Sequence, residues 1–162
     1  MAELTTLEEK LGEVTGLAMA AQGAVEKISG LVDDGDLRQT LDRMATEAKE
    51  TEERCTELAE ELEGKKTAVL EKARETKQEA TDMMKTYLGS DAEGLDGFEF
   101  LTMAEAGEVG HWEVLGVLGK KAGKSEVEAL VNWAVPIQQR HFQDAREGSL
   151  KLASEEDPNE TG

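Results

Sequence analysis

Nine apolar residues from Leu4 to Val32 (Leu4, Leu7, Leu11, Val14, Ala18, Ala21, Val25, Ile28 and Val32) step by three and four without a break. That rhythm puts all nine on one stripe of an α-helix, and such a stripe is stable only against other helices. Gly12, Gly16, Gly23 and Gly30 weaken this helix in isolation and would let a partner approach closely. A second seam runs through Leu37, Leu41, Met44, Ala48, Thr51, Cys55, Leu58 and Leu62. The short Asp33-Asp34-Gly35-Asp36 turn between the seams makes the two helices antiparallel neighbours.

The same spacing divides the remainder of the chain. Helices are expected over about 5–32, 37–63, 65–88, 98–122 and 125–152, in one domain spanning 1–150 with an acidic flexible tail at 153–162. Thr6 with Glu9 forms the expected first capping box, and Asp36 and Ser125 are the expected caps of the second and fifth helices. Gly64, followed by Lys65 and Lys66, ends the second helix. As a helix, 65–88 would be about 36 Å long, enough to carry the chain back from one end of a bundle to the other. Leu88 to Gly97 reads as a Gly/Asp-rich linker, and Pro136 sits inside the fifth helix. Aromatic residues are only 4% of the chain and no β-branched alternation is sustained, so the fold class is all-α.

A formal charge of −18 sets the chain against nucleic acid and anionic membrane, where the phosphate term would be repulsive. The N-terminus lacks a signal-peptide pattern and no apolar run is long enough to span a bilayer, which suggests a cytoplasmic protein. Cys55 lies on an apolar stripe and reads as a small buried hydrophobe. Trp112 and Trp133 read as core or interface anchors, and Met44, Met83, Met84 and Met103 as core filler. Nucleophilic catalysis has no support, and no Gly-rich phosphate loop is present, so no nucleotide or organic cofactor is expected.

Polar residues interrupt the fourth and fifth seams. The fourth reads Leu101, Ala104, Glu108, His111, Leu115, Leu118 and Ala122, and the fifth carries Val127, Leu130, Ala134, Ile137 and His141 with Gln138 alongside. A buried polar cluster is costly unless its members bond each other or a metal. If the fourth and fifth helices turn near residues 124 and 125, positions summing to about 249 lie level. For the first and second helices the matching sum is about 69. One plane then holds Gln22, Glu47 or Glu50, Glu108, His111, Gln138 and His141. The candidate metal ligands are Glu108, His111, His141 and Glu47 or Glu50, with Gln138 and Gln22 beside them.

The run A-E-A-G-E-V-G-H-W from Ala104 to Trp112 resembles the third bundle helix of rubrerythrin and ferritin-like proteins. P-I-Q-Q-R-H-F resembles their fourth-helix Glu-x-x-His motif, L-A-M-A-A-Q-G-A their first-helix segment, and M-A-T-E-A-K-E-T-E-E-R-C their second. The resemblance implies a ferritin-like antiparallel four-helix bundle with an extra crossover helix. It also implies iron or manganese handling, or redox chemistry tied to oxidative stress. Gln22 and Gln138 stand where it would place Glu, and His111 replaces a carboxylate. Losing two negative charges argues against a dimetal centre and leaves a single iron, manganese or zinc ion. The rival expectation is a metal-free structural or partner-binding protein, in which the same residues form a buried hydrogen-bond network. A homodimer goes with the ferritin-like expectation, and a protein partner bound along 65–88 with the metal-free one.

Overall fold

The computed structural model describes residues 2–161 and contains five helices and no strand among them. Met1 and Gly162, the end residues of the expected domain and tail, lie outside the described residues. The helices are α1 (Thr6–Ser29), α2 (Gly35–Glu61), α3 (Lys66–Tyr87), α4 (Gly94–Ala122) and α5 (Ser125–Ser154). No helix among the described residues is long and apolar enough to cross a membrane.

Several helix ends differ from the sequence expectation, each for a local reason. The first capping box is built on Thr5 and Glu8 rather than Thr6 and Glu9. Glu8 N–H donates to Thr5 Oγ1 at 3.2 Å, and Thr5 N–H donates back to Glu8 Oε1 at 3.0 Å. Lys65 Nζ also donates to that Glu8 oxygen at 3.1 Å, which anchors the box one residue early. Helix α1 stops at Ser29 with Gly30 as its cap, three residues short of Val32. Asp34, not Asp36, caps α2, accepting from Asp36 N at 2.9 Å and Leu37 N at 3.0 Å. Asp36 falls in the first turn, where a carboxylate suits the positive end of the helix. Lys124 is the N-cap residue of α5, and Ser125 is its first helical residue.

Helix α4 begins at Gly94, four residues before the expected start. The glycines that read as linker are sites of close packing. A Cβ on Gly94 would lie 2.8 Å from Val32 Cγ1, and one on Gly97 would lie 3.0 Å from Ile28 Cγ2. Glu93 N–H donating to Asp96 Oδ2 at 2.8 Å closes the first turn.

Helices α1, α2, α5 and α4 form a ring in which every neighbouring pair runs antiparallel. Gln22 meets Glu52 across α1 and α2, and Arg43 meets Asp144 across α2 and α5. Thr102 meets Ser149 across α4 and α5, while Gly97 meets Ile28 across α4 and α1. Between α2 and α4, Gly64 takes a left-handed φ of 74° and the chain continues as α3. Helix α3 packs along α1 in parallel, with Gly12 against Val69 and Lys72 and Gly16 against Ala73 and Thr76. Its buried side chains are small: Ala68, Val69 and Ala73.

The core has two apolar halves. One gathers Leu11, Cys55, Val69, Trp112, Leu115 and Val127, and the other Ile28, Leu41, Met44, Phe98, Leu101 and Ala145. The methionines divide: Met44 is in the core, but Met83 and Met103 are 53% and 41% exposed. Met83 on α3 and Met103 on α4 line a cavity between those helices, so they are not core filler. Between the two halves lies a polar layer.

Candidate functional site

Three helices build this layer. On α4 the buried row is Phe98, Leu101, Glu105, Glu108, Trp112, Leu115 and Gly119. It is turned one position from the expected row, because burying Phe98 and Trp112 removes far more apolar surface than burying Ala104 and His111. The rotation brings Glu105 inside and puts His111 outside. On α5, Gln138 and His141 occupy the core face between Ala134 and Ala145. On α2, Glu47 reaches in beside buried Met44 and Ala48.

Four of these side chains are almost wholly enclosed: Glu105, Glu108, Gln138 and His141 are each at most 4% exposed. His141 Nε2 lies 3.1 Å from Glu47 Oε1, and its Nδ1 lies 3.8 Å from Glu105 Oε2. Glu47 also pairs with Arg140, and with Arg43 Nη1 at 3.0 Å; Arg43 goes on to pair with Asp144. The Gln138 amide sits against both α4 carboxyl groups. With its nitrogen turned toward them, it donates to Glu105 Oε2 at 3.0 Å and to Glu108 Oε2 at 3.1 Å.

Electrostatics separates the two ends of the layer. Burial opposes ionisation of Glu47, but the His141 hydrogen bond and the charges of His141, Arg140 and Arg43 together hold its carboxyl below the usual range. Burial alone pushes Glu105 up to about 8. Burial, and then the charge of Glu105, drives Glu108 well above its ordinary value. Burial also lowers His141, outweighing the opposing pull of Glu47. At neutral pH the imidazole is therefore neutral. With Nε2–H donating to Glu47, the Nδ1 lone pair faces Glu105.

Of the residues singled out from sequence, Glu108, Gln138, His141 and Glu47 come together. His111, Gln22 and Glu50 do not join them. His111 is 46% exposed, with Nδ1 held by Gly107 O at 2.8 Å and Nε2 3.9 Å from Glu13. Gln22 donates to Glu52 at 3.2 Å and to Ala18 O, at the seam of α1 and α2. Glu50 is exposed and pairs with Arg54. Glu105 was the residue sequence reasoning missed. It lies three positions before Glu108, and the row of Phe98 and Trp112 contains it.

Among the described residues, no three His, Cys, Asp or Glu side chains are already drawn together closely enough to hold an ion. The donor types do suit one: two carboxyl groups, an amide and an imidazole lone pair neighbour one another, and among the described residues no lysine or arginine is paired to Glu105 or Glu108. Comparison of the chain with protein-family models, curated proteins and solved structures finds no significant match.

Proposed function

We propose that this protein is a ferritin-like bundle that binds one divalent cation, iron, manganese or zinc, between Glu105, Glu108, Gln138 and His141. The observation that carries the proposal is the placement of Gln138 against two buried carboxyl groups. Turned over, the same amide would put an oxygen 3.0 and 3.1 Å from two carboxylate oxygens. A shared cation makes three such oxygens favourable neighbours without protons on the carboxyl groups, and their spacing matches the edge of about 3 Å in an octahedral shell with bonds of about 2.1 Å. A bound dication would replace the protons that burial otherwise forces onto Glu105 and Glu108.

His141 supports the same reading. A metal-ligating histidine usually donates its second ring N–H to a carboxylate that fixes its tautomer. Glu47 fills that role at 3.1 Å, which leaves Nδ1 for the ion. The up-down pairing of α1 with α2 and α4 with α5, joined through α3, agrees with the ferritin-like arrangement. Iron or manganese would supply redox chemistry tied to metal handling or oxidative stress, and zinc only Lewis acidity.

The rival is a metal-free network serving structure or a partner, favoured by the hydrogen bonds Gln138 makes when its nitrogen faces α4. Elemental analysis of untagged protein, loaded anaerobically with iron(II), manganese(II) or zinc(II), separates the two. The expected result is about one equivalent in the wild type and in His111→Ala, and none in His141→Ala or Glu105→Gln/Glu108→Gln. An unloaded wild type under all three conditions would establish the network reading.

A further inference from the structure

A second feature adjoins the same carboxyl groups from the opposite side. Between α1, the C-terminal half of α3 and α4 lies a cavity of about 340 Å³. That size is within the range of small-molecule sites. Its walls are apolar, formed by Leu17 and Ala21 of α1, Ala80 and Met84 of α3, and Phe100 and Ala104 of α4. Glu105 and Glu108 also line it, and they are its buried acidic groups, at 1% and 4% exposure. Exposed Met83 and Met103 belong to its wall, and flexible thioethers adapt to varied apolar guests.

We propose that this cavity binds an aliphatic primary amine, its chain against the α1, α3 and α4 walls and its head donating to Glu105 and Glu108. An entirely apolar guest would make no polar contact with the two carboxyl groups that line the buried side of the cavity. A carboxylate guest would bring a negative charge into the same buried site with no cation to pair it. A primary amine can take the proton from one of these carboxyl groups, which sets an ammonium with three donors beside a carboxylate, and its chain buries apolar surface along the walls. This inference shares Glu105 and Glu108 with the metal reading but does not depend on a metal.

Titration calorimetry on metal-free protein tests it, with octylamine as the probe and octanol and octanoate as comparators. Because a chain of charge −18 attracts any cation, the deciding variant is one that fills the cavity without altering charge. The expected result is saturable octylamine binding at one equivalent, weakened at least tenfold in Ala104→Phe, with octanoate silent. Ala80→Leu, on α3, is a second filling variant should Ala104→Phe fail to retain its helical circular dichroism. Equal octylamine binding by the wild type and a folded filled variant would overturn the proposal, as would octanoate binding as tightly as the amine. Metal uptake is read separately, so amine binding without metal uptake removes only the metal reading, and metal uptake without amine binding removes only this one.

Discussion

His141 Nε2 lies 3.1 Å from Glu47 Oε1, and this bond joins α5 to α2 at the level where the two apolar halves of the core meet. Glu47 accepts at the same time from Arg43 and Arg140, so one carboxylate collects three donors. Replacing it by Gln removes the negative charge that holds them. The expected cost is about 1–2 kcal/mol, discounted for the partial exposure of Glu47. Because Glu47 raises the His141 pKa against burial, the His141 imidazole in Glu47→Gln should titrate at still lower pH. Urea unfolding gives the first quantity and the ring-proton NMR shift the second. An unchanged His141 titration would show that the bond does not form in solution.

The buried α4 pair gives the metal-free protein a pH dependence of definite sign. Burial pushes the folded Glu105 carboxyl up to about 8 from an ordinary value of 4.5, so across that window the folded state holds more protons than the unfolded state. Stability from this group is therefore complete at low pH and declines as pH rises from about 4.5 through about 8. His141, with a lowered pKa, acts in the opposite sense: its contribution is present above the unfolded value of 6.5 and is lost as pH falls through the folded value. Glu105→Gln isolates the first effect. Its stability relative to wild type should improve steadily between pH 5 and pH 8, as read from urea midpoints at each pH. A difference that stays constant across that window would mean Glu105 titrates normally.

How much of this was legible in the sequence depended on which residues carried the signal. The seam of α2 was plain, because Leu37, Leu41, Met44, Ala48, Thr51, Cys55 and Leu58 offer one apolar row and no competitor. Burial takes Cys55 out of thiolate chemistry as well, pushing its thiol up to about 12. In α4 two rows have the same three-four spacing, one through Ala104 and His111 and the other through Glu105 and Trp112. Spacing cannot choose between them; the size of the aromatic side chains can. Weighing Phe98 and Trp112 would have turned the helix correctly and exposed Glu105 as a site residue. The pairing of α4 with α5 was closer to the mark, since Gly119 against Val127 and Gly116 against Val131 sum to 246 and 247. Gln22 was misplaced because a long amide can reach Glu52 across the α1–α2 seam.

The glycines of α1 were read as points of close approach, and the structure divides them. Gly16 packs against the α3 backbone, where an added Cβ would come within 2.3 Å of Ala73 O. Gly23 has nothing within 4 Å of the same position. Gly16→Ala should therefore push α3 from α1 at a cost of about 1–3 kcal/mol. Gly23→Ala should stabilise the helix by about 0.5–1 kcal/mol. Thermal unfolding of the two variants side by side checks the pair, and equal shifts would show that α3 is not held as described.

Trp112 is wholly buried in the half of the core that holds Cys55 and Leu115, yet its indole N–H has no hydrogen-bond partner. Two effects then oppose each other in Trp112→Phe. The smaller ring leaves a void, which costs about 1–3 kcal/mol in a packed core. The substitution also removes a buried donor that bonds to nothing, whose desolvation costs about 1–3 kcal/mol in the folded state. The two nearly cancel, so Trp112→Phe should lie within about 1 kcal/mol of the wild type, whereas Trp112→Ala, which removes the same donor but opens a far larger void, should lose about 3–5 kcal/mol. Denaturant unfolding of both variants, followed by circular dichroism, measures the contrast. A Phe variant that loses about 3 kcal/mol or more against the wild type would mean that the indole N–H does find a partner in solution.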